Sequence, residues 1–197
     1  MDAPLPSRFD FEAYRGWPDE QRWELLDGRP YAMSSPSPLH QTICLGLAAR
    51  LLAALSGTPC QVFTSPLDVK LSEHDVVQPD VLVVCDKSQM TTTHVEGAPT
   101  LVIEVLSTSS LRHDRVRKFR LYAAAGVPEY WLVSPSPAMV EVHQWDRGGY
   151  RTHGVFTDQD TLSSAALPQL RLPLGDIFPA QDIDEVKESF PPYSDRD

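Results

Sequence analysis

A chain of 197 residues with 42% apolar and 22% charged residues has the composition of one soluble globular domain. Collagen, coiled coil and wholesale disorder are excluded, and apolar runs such as Val81-Leu82-Val83-Val84-Cys85 fall far short of the ~20 residues of a membrane span. The net charge of −10 is a poor start for a phosphate-binding protein unless the basic residues are concentrated.

In chain order, Phe9 to Arg15 reads as a short helix capped by Asp10 and stopped at Trp17-Pro18. Trp23–Leu26 and Tyr31–Met33 read as two strands joined by the hairpin pair Asp27-Gly28. A Ser/Pro loop leads into a helix from Leu39 to Leu55. Ile43, Leu47, Leu51 and Leu55 repeat at i+4 along it, and Ala48, Leu52 and Ala54 widen the stripe. Strands follow at Gln61–Leu71, with Pro66 marking an edge or bulge, at Pro79–Cys85 and at Leu101–Leu106. The last two are near-continuous apolar runs, as in strands buried on both faces. Leu111–Ala125 is a helix closed by Gly126, Glu129–Val133 a strand, and Val140–Trp145 with Tyr150–Phe156 a hairpin around Arg147-Gly148-Gly149. A final strand lies near Leu170–Leu174. The predicted fold is mixed α/β (α+β), one sheet flanked by a few helices. One domain spans 1–180, followed by an acidic tail, 181–197.

Charge is uneven along the chain. Residues 112–120 hold Arg112, Arg115, Arg117, Lys118 and Arg120 against Asp114, a local +4. That segment is either a solvated helix face or an anion-facing patch. Residues 180–197 carry a local −4. The first residues show neither a basic start nor an apolar stretch, so no signal peptide is expected. Cys44, Cys60 and Cys85 are scattered without a CxxC, which predicts reduced thiols in a cytoplasmic protein.

Two acids interrupt apolar strands: Asp80 at the head of Asp80–Val84, and Glu104 in the middle of Leu101–Leu106. A carboxylate in a buried strand is costly unless paired or metal-bound. If the strands are neighbours, both acids face one pocket and suit a hard divalent cation such as Mg²⁺. The competing reading is an acid that caps a loop or pairs with an arginine. On a helical wheel Lys118 shares a face with Asp114, Leu121 and Tyr122. It either orients a water and stabilises developing charge beside the carboxylates, or forms a simple i,i+4 pair with Asp114. The other histidines, His113 among them, show no metal-ligand spacing and read as surface or strand residues.

The ordered set Trp23–Gly28, Ser35–His40, Gln78-Pro79-Asp80, Ala98–Ser107, then Asp114, Lys118, Tyr122 and Ala125–Val133 resembles the Uma2 family, also called DUF820, of the PD-(D/E)XK nuclease superfamily. The resemblance covers roughly residues 9–178. It implies a restriction-endonuclease-like fold and a divalent-metal-dependent endonuclease acting on DNA. Asp80 and Glu104 would hold Mg²⁺ or Mn²⁺, and Glu24 would be the upstream acid. Lys118 would replace the lysine usually found two residues after the second acid, a place taken here by Leu106. His40, Gln78, Arg112 and Arg115 would supply further pocket or phosphate contacts, with Ser107 and Tyr122 nearby. The resemblance further implies a nucleic-acid partner; the short apolar runs predict no membrane span, and the strand-rich C-terminal half offers an interface for a homodimer. The alternative is a non-catalytic binding module that keeps the nuclease fold.

Overall fold

Local chemistry sets most elements of the computed structural model, which describes residues 8–18, 20–107 and 113–179. Asp10 accepts the Ala13 amide at 2.9 Å and starts α1 (Phe11–Arg15). Asp27 and Gly28 take φ of 51° and 71°, the paired left-handed turn that joins β1 (Trp23–Leu26) to β2 (Arg29–Ala32). A side chain at Gly28 would also come within 2.7 Å of Arg8 Cβ. Ser37 caps α2 (Pro38–Ala54), with Pro38 at its first position. The i+4 stripe of α2 is buried as expected at Ile43, Leu47, Leu51 and Leu55, whereas Leu52 lies on the exposed side.

The predicted strand Gln61–Leu71 is two strands, β3 (Gln61–Thr64) and β4 (Val69–Ser72), which belong to different sheets. The break falls at Pro66, which has no N–H for a ladder. Then come β5 (Asp75–Val77), β6 (Val81–Val84), a 3₁₀ turn at Lys87–Gln89, β7 (Val95–Glu96) and β8 (Leu101–Val105). The predicted helix Leu111–Ala125 is described from residue 113. It opens as a wide π-helical stretch, His113–Lys118, and continues as α3 (Phe119–Ala125), closed by Gly126 at φ 77°. The remaining strands are β9 (Glu129–Ser134), β10 (Met139–Asp146), β11 (Gly149–Thr157), β12 (Thr161–Ser163) and β13 (Arg171–Pro173). The tail 181–197 and Arg112 lie outside the described residues.

The fold class is mixed α/β, as the sequence predicts, but the strands do not join one sheet. A six-stranded sheet runs β11-β10-β9-β8-β6-β3, with β8 and β9 parallel. A five-stranded sheet runs β2-β1-β5-β4-β7, and β12 and β13 form a separate ribbon. Period-2 alternation decides which face each strand residue covers. Val81, Val83, Leu101, Ile103 and Val105 pack under α2 together with Trp131 and Val133. Leu82, Val84, Val102, Tyr130 and Leu132 face the other way, onto Tyr122 of α3 and onto Leu26, Val69 and Val77 of the second sheet.

A second correction concerns the thiols. Cys60 and Cys85 form a disulfide, while Cys44 is free and buried. The two partners are far apart in sequence, but the register Gln61↔Val84 makes them cross-strand neighbours at the ends of β3 and β6. Glu129 shows what a purely structural acid does here. Fully buried on β9, it accepts Trp131 Nε1 at 2.7 Å and the Ala165 and Ala166 amides at 2.9 and 3.2 Å. Among the described residues no helix is long and apolar enough to cross a membrane.

Candidate active site

The seam between the two sheets carries the chemistry. Strands β6 and β8 are antiparallel neighbours with Val81 opposite Ile103, so Asp80 and Glu104 come to the same level at one end of the pair. Alternation turns Glu104 away from α2, toward the helix that follows. From the second sheet, β1 contributes Glu24, the one acid of its Trp-Glu-Leu-Leu strand. From the π-helical stretch come Asp114 and Lys118, four residues apart and both buried.

Lys118 is the hub. Its Nζ lies 2.7 Å from Glu24 Oε1, 2.9 Å from Glu104 Oε1 and 3.8 Å from Asp114 Oδ1, with about 4% of the side chain exposed. Tyr122, one helical turn on, donates to Glu104 Oε1 at 2.7 Å. The Gln78 amide donates to Glu24 Oε1 at 2.9 Å, and His113 Nε2 lies 3.3 Å from Glu24 Oε2. Asp80 Oδ2 accepts the Val105 amide at 2.8 Å and lies 3.1 Å from His40 Nε2.

Three carboxylates, Glu24, Glu104 and Asp114, surround Lys118, and a fourth, Asp80, stands beside them with His40 as its partner. Burial opposes the charge on Lys118, yet Glu104, Glu24 and Asp114 outweigh it, so its pKa stands well above the usual lysine range. Burial also pushes Glu24 up, but Lys118, His113 and the Gln78 amide pull harder and hold it below the usual carboxylate range. Glu104 goes the other way. Burial raises it, Lys118 opposes, and the negative charges of Asp114, Asp80 and Glu24 carry it well above the usual value. Negative charge is therefore in excess at Glu104. Burial, with Glu104 and Glu24 nearby, pushes the Tyr122 phenol well above its usual range and keeps it a donor. The hydrogen bond to Asp80 raises His40 against the effect of burial. Burial, with Asp80 and Glu104 nearby, pushes the Cys44 thiol up.

These residues floor a cavity of about 790 Å³. Glu24, His40, Asp80, Glu104, Asp114 and Lys118 all line it, and so do Arg22, Tyr31, Ser65, Ser107, His113 and Arg117. Asp80 Oδ1 and Glu104 Oε2 make no hydrogen bond with the described residues, and both side chains reach the cavity. They are the oxygens that could hold a hard divalent cation.

Of the residues singled out from sequence, Glu24, Asp80, Glu104, Lys118 and His40 come together at this cavity. Gln78 stands behind it: its amide holds Glu24, and its side chain meets Arg22 Nε at 3.0 Å and Asp68 at 2.9 Å. Arg115 points elsewhere and pairs with Glu141. Sequence reading missed Arg22 and His113, which is half-buried at the cavity wall, and Arg117 of the basic segment lines the cavity as well. Arg22 had a signal, since it shares the period-2 face of Glu24. Its terminal nitrogen also reaches Ser65 Oγ at 2.5 Å. The Asp114, Lys118 and Tyr122 spacing of four was a second signal. His113 had none, because the wide helical turn sets its direction.

The Uma2 family model, described as "Putative restriction endonuclease", matches residues 11–175. The uncharacterised protein slr1290 of Synechocystis sp. (strain ATCC 27184 / PCC 6803 / Kazusa) is 35% identical over 153 residues, 75% of this chain and 80% of its own. A second protein of that organism, sll1609, is 27% identical over 132 residues, 63% of this chain and 72% of its own. The crystal structure of a "putative nuclease belonging to DUF820" from Anabaena variabilis ATCC 29413 shares the fold. Its TM-score is 0.71 at 18% identity, over 86% of this chain and 97% of that one.

Proposed function

Because the chain belongs to the Uma2 family, we propose that it is a divalent-metal-dependent endonuclease that hydrolyses DNA phosphodiester bonds. The observation that supports this most is the excess of buried carboxylate around Lys118 at the floor of an accessible cavity. A structural ion pair needs one acid per base, and here three buried acids, Glu24, Glu104 and Asp114, share Lys118, while Asp80 stands beside them against His40. In this reading Asp80 and Glu104 hold Mg²⁺ or Mn²⁺, their donor set being all oxygen. Bound there, such an ion supplies an activated water and neutralises charge on the scissile phosphate.

The other roles belong to the chain's own groups. Lys118 stays charged, so it acts as a fixed cation and hydrogen-bond donor beside the reacting phosphate rather than as a base. Glu24 holds Lys118 in place, with the Gln78 amide and His113 securing Glu24 in turn. Tyr122 orients Glu104. Arg22 and Arg117, on the cavity wall, are the groups positioned to meet substrate phosphates. Nucleic acid is the proposed partner and a homodimer the proposed assembly.

The test is plasmid nicking. Purified protein is incubated with supercoiled DNA and Mn²⁺ or Mg²⁺, beside a Glu104→Gln variant prepared identically. Metal-dependent nicking by the parent chain and its loss in the variant are expected. Equal nicking by both would overturn the site assignment. The second reading, a binding module that keeps the fold, draws on the net charge of −10 and on the pairing of Arg115 with Glu141. Metal-independent DNA or protein binding without cleavage would favour it.

A further inference from the structure

One cluster beside the cavity is not used by the reaction above. His40 and Cys44 lie four residues apart on α2 and so project from the same face. That face is turned toward the head of β6, where Asp80 stands. Cys44 Sγ lies 3.5 Å from His40 Nδ1, and His40 Nε2 lies 3.1 Å from Asp80 Oδ2. One donor atom from each of the three residues falls within 4.8 Å of the other two. Cys44 and Asp80 also share the wall of a second hollow of about 70 Å³, together with Gln41, Thr64 and Ser65.

We propose that His40, Cys44 and Asp80 form a binding site for a thiophilic divalent cation of the Zn²⁺ class. Bond lengths of about 2.0–2.3 Å to nitrogen, oxygen and sulfur place the ligands of a tetrahedral ion about 3.3–3.8 Å apart. Cys44 Sγ and Asp80 Oδ2 now face opposite nitrogens of the imidazole, so ion binding requires the His40 ring to turn until one nitrogen meets both. The small hollow beside Cys44 and Asp80 opens next to His40, which lines the large cavity on the other side of Asp80. A thiol and an imidazole are the ligands by which such an ion is preferred to Mg²⁺, whereas Asp80 with Glu104 offers oxygen alone. On binding, the Sγ–H bond breaks, the sulfur–metal bond forms, and the thiol proton leaves to solvent.

The same three groups in a row also resemble a nucleophile, base and acid relay. Two features argue against that use. Cys44 is only 5% exposed, and it lines the small hollow rather than the large cavity. Its neighbours Asp80 and Glu104 disfavour a free thiolate, which a bound cation would instead compensate. A consequence follows that rests on the nuclease reading. Asp80 belongs to both sites, so an ion held by Cys44 withdraws a ligand from the Mg²⁺ position, and Zn²⁺ acts as an inhibitor.

Co²⁺ tests the site without any activity. Metal-free full-length protein is titrated with Co²⁺ and followed by absorption. A sulfur-to-cobalt charge-transfer band in the near ultraviolet is expected, saturating at one ion per chain and abolished by equimolar Zn²⁺. The band should vanish in both Cys44→Ser and Cys44→Ala, weaken in His40→Ala, and persist in Glu104→Gln and in the Cys60→Ser/Cys85→Ser double variant. Absence of the band from the parent chain, or its survival in either folded Cys44 variant, overturns the proposal. If both Cys44 variants fail to fold, protection of the Cys44 thiol from alkylation by Zn²⁺ but not by Mg²⁺ decides it: protection is expected, and equal labelling overturns it. Nicking inactive in every condition, with the cobalt band present, would refute the nuclease reading and leave the metal site standing.

Discussion

Lys118 Nζ and Glu24 Oε1 meet at 2.7 Å, a contact that ties the helical segment after β8 to a strand of the other sheet. The pair is almost wholly removed from water, with side-chain exposures of 4% and 3%. A buried ion pair adds little over an apolar contact, but losing one partner strands the other.

Lys118→Met should therefore be far worse than its similar volume suggests. It leaves Glu24, Glu104 and Asp114 buried around no cation. A loss of about 3–5 kcal/mol at neutral pH is expected from urea denaturation. A loss below 1 kcal/mol would mean that water reaches the cluster freely.

Tyr122→Phe removes the phenol that donates to Glu104 and leaves the ring in place. The expected cost is about 1 kcal/mol, the net worth of one hydrogen bond, because Lys118 still donates to the same oxygen. If Tyr122 orients Glu104 for the metal, the Mg²⁺ concentration for half-maximal nicking should rise as well. A stability change with no shift in metal dependence would confine Tyr122 to the fold.

His143 offers a pH test away from the metal-binding residues. It packs against Phe119 and Tyr150, its Nδ1 lies 3.2 Å from Thr152 Oγ1, and its Nε2 is buried with no hydrogen bond among the described residues, 3.8 Å from Glu141 Oε2. Burial holds the imidazole below the ordinary histidine range, against the pull of Glu141. The unfolded chain then binds the proton more readily than the folded one. This contribution to stability is complete above the ordinary histidine pKa and is lost as pH falls through the folded value. Urea midpoints taken from pH 8 to pH 5 should decline less in His143→Phe than in the parent chain. Parallel curves would refute the assignment.

Leu47→Ala should cost about 2–5 kcal/mol, because Leu47 is fully buried between α2 and the six-stranded sheet. Leu45→Ala, on the exposed side of the same helix, serves as the control and should be near neutral. Thermal unfolding of the two variants compares them directly.

Much of the candidate site was legible before any coordinates. Glu104 stood out because an ionisable residue in a five-residue apolar strand needs a partner. Lys118 stood out because the helical wheel set it among inward-facing residues. Both inferences use short-range periodicity, which backbone geometry imposes on any chain. The hairpin at Asp27-Gly28, the α2 stripe and the stop at Gly126 were legible for the same reason.

What the sequence alone could not decide was how distant segments meet. The split of Gln61–Leu71 between two sheets, the pairing of Cys60 with Cys85 and the approach of Glu24 to Lys118 across 94 positions all depend on long-range register. So does His113, whose direction follows from a π-helical stretch that no local pattern announces. Period and capping act within a few residues and can be read off the chain. The charge balance at Glu104 is set by groups from β1, β6 and the segment after β8, and only the closed tertiary structure brings them within a few ångströms of one another.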